Sequence, residues 1–230
     1  MMNIEEIGSA LEPHGLISRG GFEIDETTGL ASAGTVVLVG SAGSAMWDAF
    51  TRSDFYKSQG GTDGSDNPMD DWTRQIIDQV ADELQAKALY PFEGPPYYPF
   101  QRWAMRAEAV FASPTGPLVH PEYGLWHAYR AALVFDQIIA FPAIKSEVSP
   151  CATCPDKPCM QACPVDAFKP GVYDVPACVA HLQASPTPYC RTNGCFARHA
   201  CPVGQKFAYS EDQAGFHMGK FVRSQLEQAQ

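Results

Sequence analysis

The chain has 230 residues, 45% of them apolar, with a formal net charge of −10. That length allows one large domain, or one domain plus a small module, with enough apolar mass for a real core, and nothing in the composition suggests disorder. The acidic balance repels phosphate backbones and so argues against a nucleic-acid partner.

The N-terminal MMNIEEIGSALEPHG carries acids where an export signal carries bases, and no apolar core of a signal follows. The stretches TVVLVG and AALVFDQIIAF are too short or too interrupted to cross a bilayer, so a cytoplasmic protein is expected. Residues 4–11 read as a short helix stopped by Pro13 and Gly15, and 16–24 as a loosely alternating strand. Residues 35–39, mostly β-branched, suit a buried strand. Gly40-Ser-Ala-Gly43 then leads into a helix at 45–50; lacking a P-loop Lys-Ser/Thr and a third glycine, it reads as a turn rather than a phosphate cradle.

Residues 57–68 form a polar, glycine-rich loop, and Pro68 opens the clearest helix, with Met69, Trp72, Ile76, Val80 and Leu84 on one face. Next comes ALYPFEGPPYYPFQRWAMRAE, where Pro91, Pro95, Pro96 and Pro99 mingle with aromatics ahead of Trp103. Such a segment suits either a flat ligand or a loop packed over a sheet. A second dense patch runs from Leu118 to Arg130, and 142–150 holds two prolines, a natural boundary. The expected division is an α/β cofactor- or partner-binding domain at 1–147, a cysteine module at 148–206 and an extension at 207–230.

All eight cysteines lie between Cys151 and Cys201. A disulfide scaffold fits poorly, since the cysteine-free part is too large to need staples. The first half reads Cys151-x2-Cys154-x4-Cys159-x3-Cys163-Pro164, and the second Cys178, then Cys190-x4-Cys195-x5-Cys201-Pro202. Both halves end in Ala-Cys-Pro-Val, a degenerate internal repeat. Bacterial ferredoxins use C-x2-C-x2-C-x3-C-P, where three cysteines hold one cluster and the fourth ligates the other. By that crossed rule Cys151, Cys154, Cys159 and Cys201 hold one [4Fe–4S] cluster, and Cys163, Cys178, Cys190 and Cys195 hold a second. Each Cys-Pro step is expected to turn the chain away into a helix. Residues 151–206 hold five bases against three acids, and Lys157, Arg191 and Arg198 are expected to offset the clusters' negative charge. Zinc is the rival metal, with His181 and His199 among the thiols, but only one C-x2-C knuckle is present.

The pattern from Cys151 to Pro202 resembles the two-cluster module of epoxyqueuosine reductase and its corrinoid-dependent relatives, where the fifth cysteine also starts a helix. His120-Pro-Glu-Tyr-Gly-Leu-Trp-His-Ala-Tyr-Arg130 resembles a motif of the cobalamin-processing chaperones that decyanate cyanocobalamin. Together these resemblances imply an α+β fold: a nitroreductase-like N-terminal domain followed by a ferredoxin-like two-[4Fe–4S] module. They also imply that the clusters feed electrons to cobalamin, FMN or a substrate. Epoxyqueuosine reductase carries helical repeats for tRNA after its clusters, and here about thirty residues follow Cys201.

The pocket candidates are His120, Tyr123, Trp126, His127 and Arg130, which equally suit a packed motif. A planar ligand would stack on Trp126, Tyr123 or Phe100 with Arg102, Arg106 or Arg130 at its edge, and His120 or His127 would approach a cobalt. No catalytic triad or carboxylate pair stands at a recognisable spacing. The function expected is therefore an iron–sulfur redox protein with a redox partner. The alternatives are a ferredoxin-like carrier without catalysis and a zinc-stabilised interaction protein.

Overall fold

The computed structural model describes residues 2–31, 33–63, 65–144 and 147–228. In chain order the first elements are α1 (Ile4–Leu11), β1 (Ile17–Glu23), β2 (Thr35–Ala42), α2 (Ala45–Arg52) and α3 (Asp54–Ser58). Then come α4 (Pro68–Glu83), β3 (Lys87–Leu89), α5 (Phe100–Ala107), β4 (Phe111–Ala112), β5 (Leu118–Val119) and β6 (His127–Phe135). The last part holds β7 (Phe168–Lys169), β8 (Val172–Tyr173), α6 (Val175–Leu182), α7 (Tyr189–Asn193), α8 (Phe196–His199) and α9 (Glu211–Gln228).

The chain divides into two compact units, Met1–Val110 with His127–Glu147, and Phe111–Trp126 with Val148–Gln230. The division is not sequential, as a boundary at 147 would make it. The segment 111–126 leaves the first unit because its β4–β5 hairpin pairs internally and Val119 and Leu125 pack on Cys201. Lys145 and Ser146, inside the expected boundary at 142–150, lie outside the described residues, as does Gly64 of the expected polar loop.

In the first unit the sheet order is β1-β2-β6-β3, antiparallel throughout. β2 is central and buried on both faces, which its continuous β-branched run permits. A bulge falls between Val39 and Gly40, where a Cβ would meet the Ala128 carbonyl oxygen at 2.2 Å, so only glycine fits. α1 carries a capping box on Asn3, and Gly15 turns left-handed (φ 65°) after it. α4 buries Met69, Trp72, Ile76 and Val80, and Trp72 meets Phe50 of α2 with centroids 5.5 Å apart. The proline-rich stretch ends in α5, whose Trp103 donates to the Thr28 carbonyl.

Arg19, 1% exposed, is held by Glu108 (2.7 Å), with the Tyr129 hydroxyl donating to the same carboxylate at 2.5 Å. A buried arginine needs this partner, because an unpaired charge in a core is costly.

The second unit is made of short elements around the cysteines. Its core includes Leu182, Cys190 and Val222, with Cys178, Met218 and Phe221 packed against them. The expected extension is thus α9, a structural helix against α6 and α7. Neither Cys-Pro step starts a helix. After Pro164 the chain turns into the β7–β8 hairpin, and after Pro202 into a single 3₁₀ turn at Gln205–Phe207. Proline fixes the local φ in both places, but the residues beyond it, not the proline, decide the next element.

Candidate iron–sulfur site

The eight thiols fall into two groups. One cavity, of about 270 Å³, is lined by Cys151, Cys154, Cys159 and Cys201. Another, of about 20 Å³, is lined by Cys163, Cys178, Cys190 and Cys195. Cys159 sits in a 3₁₀ turn entered through Lys157 in a left-handed conformation (φ 38°), which folds the enlarged Cys154–Cys159 spacer back on itself. Cys201 comes fifty residues after Cys151 in the chain, yet it packs with Cys151, Val119 and Leu125. Gln205 holds it there by donating to its carbonyl.

In the second group, Asp174 caps α6 by accepting from the Ala177 N–H, which positions Cys178 one turn in. Cys190 lies on α7 and Cys195 is the cap residue of α8.

Burial pushes the thiols of Cys151, Cys159, Cys178, Cys190 and Cys195 up, and neighbouring thiols push them further. Those neighbours always belong to the same group: Cys201, Cys159 and Cys154 act on Cys151, while Cys163 and Cys190 act on Cys178. Without a metal, such thiols hold their protons; a metal core replaces those protons and relieves the repulsion. Donors to sulfur are in place. The Ala167 N–H points at Cys163 Sγ (3.4 Å), the N–H groups of Arg198 and Ala197 at Cys195, and the Tyr173 hydroxyl at Cys178. Lys157 is near Cys151 and draws its thiol down. Among the described residues, no group of three or more His, Cys, Asp or Glu side chains is placed to hold a single metal ion.

Arg191 and Arg198 serve the fold and are not simple counter-charges. Arg191 donates to the Gly215 carbonyl of α9, and Arg198 donates through Nε and Nη2 to the Leu125 carbonyl while lying over the Trp126 and Tyr209 rings. His199 is anchored too, with Nε2 at 3.0 Å from the Asn193 carbonyl, and is not a free surface group.

A third cavity of about 400 Å³ adjoins the second thiol group and shares Cys178, Cys195, Phe168 and Met218 with it. Trp126, Tyr173, His217 and Phe221 also line it.

The structure assigns the five pocket candidates to different units. His120, Tyr123 and Trp126 belong to the second unit, His127 and Arg130 to the first. His120 Nδ1 accepts from the N–H groups of Glu122 and Tyr123, and its ring stacks on Tyr123 at 4.3 Å. This is a self-capped turn. Trp126 is 1% exposed and packs edge-on against His199 and Tyr209. Of the five, only Trp126 borders the 400 Å³ cavity.

His127 Nδ1 lies 3.2 Å from Arg19, which can only donate, so this nitrogen accepts and the ring proton sits on Nε2. Arg130 is paired with Asp70 at 2.6 Å. Phe100 is buried against Trp103, Arg106 is bound to Asp25, and Arg102 is exposed. Tyr173, His217 and Phe221 were not singled out by sequence. The only signal was that Tyr173 lies between two cysteines, five residues before Cys178.

No family model matches the chain, and no curated protein matches it. Solved structures do. The C. elegans B12-trafficking protein CblC aligns over 96% of this chain and 94% of its own, with a TM-score of 0.58 and 16% identity. Epoxyqueuosine reductase from Bacillus subtilis aligns over 90% of this chain and 66% of its own, at 0.51 and 18%. The Streptococcus thermophilus reductase aligns over 92% and 69%, at 0.52 and 13%. Another epoxyqueuosine reductase structure, similar at 0.51, holds a tRNA stem loop. Both resemblances read from the sequence are thus met by structures of the same fold. At these identities the likeness is one of fold. No described helix is long and apolar enough to cross a membrane.

Proposed function

We propose that this protein is a cytoplasmic iron–sulfur redox protein whose second unit holds two [4Fe–4S] clusters. The observation that carries the reading is the sorting of the thiols. Cys201 joins Cys151, Cys154 and Cys159 around one cavity, and Cys163 joins Cys178, Cys190 and Cys195 around the other. This crossing is the arrangement of two-cluster ferredoxins. It supports two ligand sets of four thiols and no spare ligand.

When bound, each cluster supplies one-electron transfer. The protein's own groups do the rest: backbone N–H groups and Tyr173 donate to sulfur, Lys157 offsets negative charge near Cys151, and the surrounding apolar side chains limit water. Electrons would come from a redox partner protein. Likeness to a B12-trafficking protein and to epoxyqueuosine reductases supports a corrinoid or a flavin as acceptor. The net charge of −10 weighs against carrying the tRNA of that neighbour over to this chain.

Anaerobic purification with iron, sulfide, zinc, flavin and cobalt quantified on one sample tests this. About eight iron and about eight sulfide per chain are expected, as two cubanes require. Stoichiometric zinc without sulfide, from cells with ample iron, would overturn it.

A further inference from the structure

The 400 Å³ cavity beside the second thiol group differs in chemistry from both thiol cavities. Four aromatic side chains, Trp126, Phe168, Tyr173 and Phe221, border it, together with Met218 and the two cysteines Cys178 and Cys195. Three of the rings are nearly parallel. Phe168 and Tyr173 stack with centroids 4.6 Å apart and planes 15° apart, and Phe221 follows Tyr173 at 6.4 Å and 20°. Tyr173 also ties this wall to the thiols, because its hydroxyl hydrogen-bonds Cys178.

The polar side of the cavity is narrow. Among the described residues, Arg198 and His217 are its charged or titratable ones besides Tyr173 and the cysteines, and no carboxylate lines it. Arg198 is already committed to the Leu125 carbonyl. A sugar or a peptide would leave its own polar groups unpaired there, at a cost of roughly 1–3 kcal/mol each. A cation would face Arg198 with no acid to balance it. The volume falls low in the range of about 300–1,000 Å³ usual for small-ligand sites, enough for two or three fused rings but not for a corrinoid with its side chains.

We propose that this cavity binds a planar fused-ring aromatic molecule, neutral or anionic, of the quinone or isoalloxazine class. The site deepens the redox reading and rests on it for why an electron-accepting ring should lie against Cys178 and Cys195. It makes the second thiol group, and not the first, the one nearest the ligand.

The test uses anaerobic holoprotein with its iron counted, and equilibrium dialysis with menadione, lumiflavin and hydroxocobalamin as probes. Menadione and lumiflavin are expected to bind and to displace each other. Phe221→Ala is expected to weaken both at least about tenfold through loss of aromatic wall, with iron unchanged. Leu226→Ala, at an exposed position on the same helix and outside the cavity, is expected to leave both dissociation constants unchanged. Binding of neither small ring, binding of hydroxocobalamin alone, or Phe221→Ala protein that retains its iron and binds like wild type would overturn the site. Iron is read on the same sample, so failure of the cluster reading shows as absent iron and failure of the site as absent ring binding.

Discussion

Gly124 and Gly204 lie backbone against backbone. A Cβ on Gly124 would meet the Val203 carbonyl oxygen at 2.0 Å, and one on Gly204 would meet the Tyr123 carbonyl at 2.3 Å. Both glycines have positive φ, 59° and 73°. Their contact locks the turn after Cys201-Pro202 onto the His120–Gly124 turn, and so places the one cysteine of the first group that comes from far along the chain. Gly124→Ala or Gly204→Ala is expected to cost roughly 3 kcal/mol or more, from strain and overpacking together. Chemical denaturation checks it, with Gly8→Ala as the control. Gly8 has open space in α1, and alanine there is expected to stabilise by about 0.5–1 kcal/mol.

Tyr173 and Cys178 give a second expectation. The hydroxyl donates to the Cys178 sulfur, and with a cluster held by that sulfur it would favour the more negative, reduced state. Tyr173→Phe should lower the potential of the second cluster alone and leave iron content unchanged. A spectroelectrochemical titration reads both couples. Equal potentials in mutant and wild type would remove Tyr173 from the account.

Arg19 and Glu108 carry the stability of the first unit's buried polar network. Glu108→Ala leaves the Arg19 guanidinium, 1% exposed, without its carboxylate, and is expected to cost about 3–5 kcal/mol. Glu108→Gln should cost less, since it keeps an acceptor for the Tyr129 hydroxyl. Denaturant midpoints of the two variants separate lost charge from lost hydrogen bond.

Burial pushes the Tyr129 hydroxyl well above the usual tyrosine range. A group raised in the folded state contributes its full stability below its unfolded value of about 10 and loses it as pH climbs beyond that value. Unfolding free energy is therefore expected to fall above about pH 10, by up to roughly 1.4 kcal/mol per pH unit for this tyrosine. Tyr129→Phe should flatten that limb. An unchanged slope would mean that other groups set the alkaline limit.

Local patterns were the legible part of the sequence. The β-branched run of β2, the stripe of α4 and the stop of α1 before Pro13 and Gly15 are decided by neighbours in the chain, and each stands where its pattern places it. The neighbours of each thiol around the two cavities follow the crossed order that the cysteine spacing suggests. The segment 118–130 stayed open between a pocket and a packed motif because its density of aromatic and basic residues mixes three jobs: a docked turn at His120–Gly124, a buried indole at Trp126, and a sheet strand at His127 and Arg130. Tyr173 and Phe221 were hidden because forty-eight residues separate them and only the packing of α9 brings them together. No period or spacing in the chain records such a meeting.

The paired variants Cys163→Ala and Cys201→Ala test the crossing of the two thiol groups. Each anaerobic variant is compared with wild type by iron analysis and by electron paramagnetic resonance after reduction. Each variant is expected to drop from about eight iron to about four. Cys163→Ala should lose the signal of the cluster held by Cys178, Cys190 and Cys195, and Cys201→Ala the complementary one. Loss of the same signal in both variants, or loss in Cys163→Ala of the cluster held by Cys151, Cys154 and Cys159, would contradict it.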